Sequence, residues 1–197
     1  MNSNDLESQM KFIIEIDKLK SIFRQNYLID SSRRENDSEH SWHLSMMVIT
    51  LADHFENIDV CKTVKMVLIH DLVEIYAGDT FAYDESANIG KEQREKESAK
   101  KLFSLLPRNQ SDKYIKLWYE FEDMTTSESV FANIVDRLQL LLLNVYSKGK
   151  MWHKRKVTLE NVLKREKPIF DKAPRVITKY FNELINESIE NNYFYIE

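Results

Sequence analysis

The amino-acid sequence predicts an all-α protein, and three observations carry that prediction. Its 197 residues include only three Gly and three Pro, so helix breakers and turns needing positive φ are scarce. Apolar residues recur at helical spacing along most of the chain. No stretch alternates with period two, and neither an internal repeat nor a low-complexity linker divides the sequence. A single domain over residues 1–197 is expected, of a length that supports a substantial core.

The elements follow in order. Residues 6–23 place Met10, Ile13, Ile14, Ile16, Leu19, Ile22 and Phe23 close to a helical period. The polar segment 30–38 (DSSRRENDS) interrupts that pattern. Ser38 is expected to cap a helix over 39–55, whose buried side is formed by Trp42, Met46, Ile49 and Leu51. A third helix is expected over 60–76 with Gly78 as its stop, followed by a loop over 79–90. Residues 91–106 open as a solvated charged face and close apolar before Pro107. Helices over 111–123 and 127–146 come next. The second repeats Phe131, Ile134, Val135, Leu138, Leu141 and Leu142 at helical spacing. Residues 147–155 form a connection, and helices over 158–170 and 174–191 close the chain.

Composition narrows the function classes. A formal net charge of −4 argues against a nucleic-acid polymer as partner, although a basic pocket for a small phosphorylated ligand is compatible with it. The lone Cys61 makes no intramolecular disulfide and suits a reducing compartment. No apolar run approaches 18 residues and the first residues contain no secretory core, so a cytoplasmic protein off the membrane is expected.

The chemistry concentrates in His40, the pair His70-Asp71, and Asp136. Two imidazoles and two carboxylates suit a first-row divalent metal. Each also has a structural reading. His40 serves equally as a capping residue, His70-Asp71 as a chance dipeptide, and Asp136 as half of a buried ion pair with an arginine. Glu74 lies one turn beyond His70, so both can border one cavity. Asp136 interrupts an apolar helix, where a bare carboxylate is costly and requires a cation.

Four strings, SEHSWH (38–43), HDLVE (70–74), GDT (78–80) and VDRL (135–138), resemble those of the HD-domain metal-dependent phosphohydrolases. Within that superfamily the likeness is strongest to bacterial 5′-deoxynucleotidases and their eukaryotic HD-domain-containing relatives. It extends over residues 19–170. The resemblance implies an HD-type helical bundle with the metal site between core helices. His40, His70, Asp71 and Asp136 would hold one divalent ion: Mn²⁺, Co²⁺, Fe²⁺ or Zn²⁺, with Mg²⁺ admitted. Arg24 would orient the substrate phosphate, and Asp79 and Thr80 would lie along the nucleotide. Glu74 would either move a proton or orient a histidine ligand.

The implied activity is release of phosphate from (deoxy)ribonucleoside 5′-monophosphates by attack of a metal-activated water. The implied assembly is a homodimer. Gln25 stands where the deoxynucleotidases carry Trp, which leaves base and sugar preference open. Alarmone hydrolysis is disfavoured because Ile75 occupies the second place of an acidic pair. Two-metal branches are disfavoured because no histidine falls between Asp71 and Asp136. A helical binding protein with a structural metal is the reading from another class.

Overall fold

The computed structural model describes residues 3–196. Its helices are α1 (Ser3–Ile16), α2 (Asp37–Leu51), α3 (Val60–Ile69), α4 (Glu74–Ala77), α5 (Glu85–Asn88), α6 (Lys91–Phe103), α7 (Arg108–Asp123), α8 (Ser127–Tyr146), α9 (Lys150–Arg155), α10 (Leu159–Phe170) and α11 (Arg175–Glu190). Two short antiparallel strands, β1 (Phe23–Tyr27) and β2 (Arg34–Asn36), join α1 to α2. The protein is essentially all-α.

α8 is the central element. It packs on α2, α3, α7, α10 and α11, and its Phe131, Ile134, Val135, Leu138 and Leu141 are buried in one core with Leu44, Val48, Met66 and Val67. Thr126 caps it through a reciprocal bond with Ser129, which satisfies donors that the first turn leaves open. A second apolar cluster gathers Phe12, Leu72, Leu102, Phe103 and Trp118 beneath α1, α6 and α7. The residues between these clusters, on α2, α8 and the turn after α3, are the polar ones named above.

Several expectations are corrected. The first helix ends at Ile16, and a 3-10 turn leads into β1, so Arg24 lies on a strand. Along β1 the side chains alternate in burial, with Arg24 and Asn26 facing inward. Asn36, not Ser38, caps α2, in a capping box with Glu39.

Trp42, Met46 and Ile49 are exposed at 64%, 45% and 56%. The inward face of α2 is instead His40, Ser41, Leu44, Ser45, Met47 and Val48. Apolar periodicity chose the wrong face because this helix spends part of its buried stripe on polar residues. Likewise, Glu95 on α6 is buried rather than solvated.

The helix expected over 60–76 breaks at Ile69 into a 3-10 turn over His70–Val73 before α4 begins. Gly78 stops it as expected, at φ 77°. The loop over 79–90 contains the short α5, and the connection over 147–155 contains α9. At Gly149 (φ 69°) the Tyr193 carbonyl approaches so closely that any Cβ would collide with it, which pins the C-terminal segment beneath α9.

Candidate metal centre

Three elements deliver the donors. The Asn36–Glu39 capping box starts α2 so that His40 falls in its first turn, completely buried. The 3-10 turn carries His70 and Asp71, and the Trp118 indole N–H anchors it by donating to the His70 carbonyl at 3.2 Å. With three residues per turn, this geometry brings Asp71 and Glu74 onto one side. Asp136 projects from α8 at 13% side-chain exposure.

The side chains converge. His40 Nε2 is 3.1 Å from Asp136 Oδ1 and 3.6 Å from Asp71 Oδ2, while His70 Nε2 is 3.0 Å from Asp71 Oδ2. Donor atoms of His40, His70 and Asp71 all lie within 4.8 Å of one another.

Each imidazole is held through its other nitrogen. His70 Nδ1 lies 2.9 Å from the Val67 carbonyl, which sets it as the N–H donor and leaves the Nε2 lone pair free. His40 Nδ1 faces Gln139 Oε1 at 3.1 Å and Glu35 Oε2 at 3.5 Å, and Gln139 in turn donates to Glu35 at 2.7 Å. Such outer partners fix tautomer and ring orientation in metal sites.

The residues fit a divalent cation. With Nδ1 turned to Val67, the buried His70 Nε2 and Asp71 Oδ2 set two lone pairs 3.0 Å apart, an arrangement that costs free energy unless a cation lies against both. Around it, Asp37, Asp71, Glu74, Asp79 and Asp136 outnumber the nearby guanidiniums, Arg24 and Arg137.

The electrostatics report the same excess of negative charge. Burial and Asp71 push Asp37 up to about 6, and burial with Asp71 and Asp37 raises Glu74 well above its ordinary range. Burial would raise Asp136 too, but the hydrogen bond and charge of His40 hold it below the usual carboxylate range. Burial depresses the Arg24 guanidinium, yet the surrounding carboxylates keep it well above its ordinary value.

His40 supplies a prediction. Burial and the Arg24 charge lower its pKa, but the Asp136 and Glu35 carboxylates outweigh them and raise it to about 9. The metal-free protein therefore holds a proton on His40 at neutral pH and loses that stabilisation as pH rises from about 6.5 through about 9. A metal requires the neutral imidazole. Titration of Mn²⁺ or Zn²⁺ at pH 7.5 is expected to release about one proton from His40, and apparent affinity to climb with pH up to about 9. Calorimetry in two buffers of different protonation enthalpy measures this, and identical heats in both would contradict it.

Asp71, Asp136 and His70 open onto one cavity, which Arg24, Gln25, Asp79 and Thr80 also line. Arg24 Nη1 lies 2.5 Å from Asp71 Oδ2 and 3.4 Å from Asp37 Oδ1. On another wall stand Lys91, Glu95 and Glu122, the last raised to about 7 by burial and by Glu95.

Sequence reasoning missed Glu35, Asp37 and Gln139. Gln139 was detectable as a polar residue inside an apolar helix, one turn after Asp136. Glu35 and Asp37 were hidden in a segment that read as solvated. His43 is half-buried and faces Gln139, His54 is exposed, and Arg33 pairs with Glu39 on the surface. Trp118 and Phe121 are core, with Phe121 4.7 Å from the His70 ring.

Comparison with known proteins gives a consistent picture. A family model described as HD domain matches residues 16–177. The 5′-deoxynucleotidase HDDC2 of Bos taurus is 27% identical over 143 residues, covering 72% of this chain and 69% of that protein. Its Homo sapiens counterpart is 28% identical over 136 residues, covering 68% and 66%.

Among solved structures, a predicted metal-dependent phosphohydrolase from Magnetospirillum magnetotacticum MS-1 superposes with a TM-score of 0.93 at 42% identity. The match covers 98% of this chain and 97% of that one. An HD-domain phosphohydrolase from Listeria innocua, 17% identical with a TM-score of 0.63 and 92% and 98% coverage, shares the fold. The helical architecture, the gathered His/Asp donors and the family match over most of the chain together establish that it belongs to the HD-domain family, among its phosphohydrolases.

Proposed function

We propose that this protein is a metal-dependent 5′-nucleotidase that releases phosphate from (deoxy)ribonucleoside 5′-monophosphates. The observation that carries the reading is the orphaned His70 Nε2 beside Asp71, His40 and Asp136, at a cavity shared with Arg24, Glu74 and Asp79. The named deoxynucleotidase relatives support the substrate class.

His40, His70, Asp71 and Asp136 would hold the ion, which when bound supplies Lewis-acid polarisation of the phosphate and a more acidic water. A phosphate dianion is repelled by the carboxylates here, so a cationic partner is needed, and Arg24 is the buried guanidinium positioned to orient it.

Glu74 is buried, its Oε2 has no hydrogen-bond partner, and burial with the charges of Asp71 and Asp37 raises its carboxyl well above the ordinary range in the metal-free protein. It is the group best placed to pass a proton to the departing 5′-oxygen. Asp79 Oδ2 is likewise buried without a partner, and its carboxylate accepts a sugar hydroxyl in this reading. Thr80 lies next to it along the nucleotide. Gln25 lines the same cavity and accepts from Arg155 at 2.5 Å, so it is tied to α9 rather than free to cover the sugar as an aromatic would.

The homodimer belongs to this proposal as well, supported by the exposed apolar face of Trp42, Met46 and Ile49. No described helix is long and apolar enough to cross a membrane.

A phosphate-release screen of ribo- and deoxyribonucleoside 5′-monophosphates, with Mn²⁺, Co²⁺, Zn²⁺ and Mg²⁺ in turn, tests the function. Turnover that depends on added metal is expected. Loss of the Glu74 proton in Glu74→Gln is expected to lower kcat by about 10²–10⁴. Absence of turnover across the panel with metal-loaded protein overturns the reading.

A further inference from the structure

The cavity does not end at the metal donors. Asp136, Arg137, Leu140, Leu141 and Asn144 of α8 all line it. At 1.5 Å per residue, that stretch carries the cavity about 12 Å along the helix from Asp136 to Asn144, comparable to the reach of a nucleotide from phosphate to base.

The far part is unusual in its hydrogen bonding. Arg137 Nε and Nη1 and the Trp152 indole Nε1 are buried donors that make no hydrogen bond, while Glu166 Oε2 and Asn144 Oδ1 are buried acceptors that receive none. Glu166, Asn144 and Trp152 are 4%, 6% and 1% exposed. Native interiors leave few such groups, and here they gather around one opening.

Two guanidiniums face the Glu166 carboxylate, and Arg137 Nε also lies 3.8 Å from Asp136 Oδ2. Glu166 Oε1 pairs with Arg165 Nε at 3.2 Å and lies 3.7 Å from Arg137 Nη1, longer than a hydrogen bond, and the Tyr83 hydroxyl bonds the same carboxylate. The Arg165 guanidinium also lies over the Tyr83 ring at 5.8 Å.

We infer that this part of the cavity is a nucleobase subsite, in which Arg137 donates to, and Glu166 accepts from, the polar edge of the base. This rests on the nucleotidase reading and adds to it the residues that read the base. A second phosphate does not suit the place, because phosphate oxygens only accept at neutral pH and would face the Glu166 carboxylate and the Asn144 carbonyl oxygen. A base edge presents donors and acceptors side by side, as this wall requires. Tyr83, Phe81 and Trp152 add ring surfaces beside which a planar heterocycle can lie. The arginine that the sequence offers as a partner for Asp136 is Arg137, whose Nε lies 3.8 Å from Asp136 Oδ2, whereas Glu166 had no expected role.

The test has two arms, both comparing wild type with Glu166→Gln, which keeps the shape and removes the charge. In the first, kcat/KM is measured for 5′-monophosphates of all four deoxynucleosides and for 2-deoxyribose 5-phosphate, which has no base. Wild type is expected to prefer nucleotides to the base-less ester. The substitution is expected to reduce that preference about tenfold for the best base, the value of one hydrogen bond to a charged group. A wild type that hydrolyses base-less ester and nucleotides equally well overturns the subsite while leaving the nucleotidase intact. So does a variant that loses the same factor on every substrate.

The second arm needs no turnover: saturation-transfer NMR on phosphate-free nucleosides at millimolar concentration. Base-proton contacts in wild type that weaken in Glu166→Gln support the subsite even if no nucleotide is hydrolysed. Their absence in wild type overturns it.

Discussion

Asp136→Ala is expected to abolish metal retention and phosphate release together while the helical fold survives. Asp136 Oδ1 is the carboxylate oxygen that meets His40 Nε2 at 3.1 Å, and the side chain is only 13% exposed. Removing it deletes the expected fourth ligand beside the gathered His40, His70 and Asp71, and leaves His40 Nε2 facing Asp71 Oδ2 at 3.6 Å. A metal ion supplies several kcal/mol of transition-state stabilisation, so turnover should fall on the order of 10³ or more.

The metal-free protein loses the His40–Asp136 pair as well, but the helical fold survives because the α8 core is carried by Phe131, Ile134, Val135, Leu138 and Leu141. Ligand linkage separates the two effects. Wild type should gain about 2.7 kcal/mol at a metal concentration one hundred times Kd, seen as a rise in Tm, whereas the variant gains nothing. Circular dichroism checks the fold, metal analysis after gel filtration checks retention, and Tm with and without metal checks linkage. A variant that keeps stoichiometric metal and turnover removes Asp136 from the ligand set.

Arg24→Ala should destabilise the metal-free protein by about 3–5 kcal/mol, the usual cost of breaking a buried ion pair from one side. Arg24 is 9% exposed, with Asp71 at 2.5 Å, Asp37 at 3.4 Å and Glu35 at 4.0 Å. Without it those carboxylates and Glu74 face one another with no guanidinium between them.

The sign of the pH dependence follows. Asp37 already titrates at about 6 in the folded protein, above its ordinary value of 3.8, so the stability it contributes is present at low pH and is lost as pH rises through about 6. Without the guanidinium that loss deepens, so the variant's deficit should be larger at pH 8 than at pH 5. A divalent ion replaces part of the missing positive charge, and the deficit should shrink when metal is added. Urea unfolding at the two pH values, in EDTA and in excess Mn²⁺, measures all of this. A deficit below about 1 kcal/mol in EDTA, or one unchanged by metal, would show that Arg24 does not neutralise the cluster.

Most helices could be read from the chain because their causes are local. α8 begins and ends where its caps and apolar period place it, from Ser127 to Tyr146, and α10 and α11 fall within a residue or so of expectation. The misreadings are equally physical. β1 and β2 are too short to show alternation, and they carry Arg24 and Asn26 inward against the tendency of such residues to face water. α2 misled because His40, Ser41 and Ser45 occupy its buried face, while Trp42, Met46 and Ile49 are left outside. The break after Ile69 had no Gly or Pro to announce it.

The sequence by itself determined the helical class, the positions of most helices, and which side chains have the chemistry to hold a divalent cation. It did so because helix formation and donor chemistry depend on residue type and near spacing. The tertiary structure alone decided that His40 meets Asp136 across 96 positions, that Glu35 and Gln139 orient it, and that Arg137 and Glu166 share a cavity with the metal donors. Contacts of that range follow from how the helices pack around α8, and no period in the sequence encodes which buried polar groups that packing leaves facing one another.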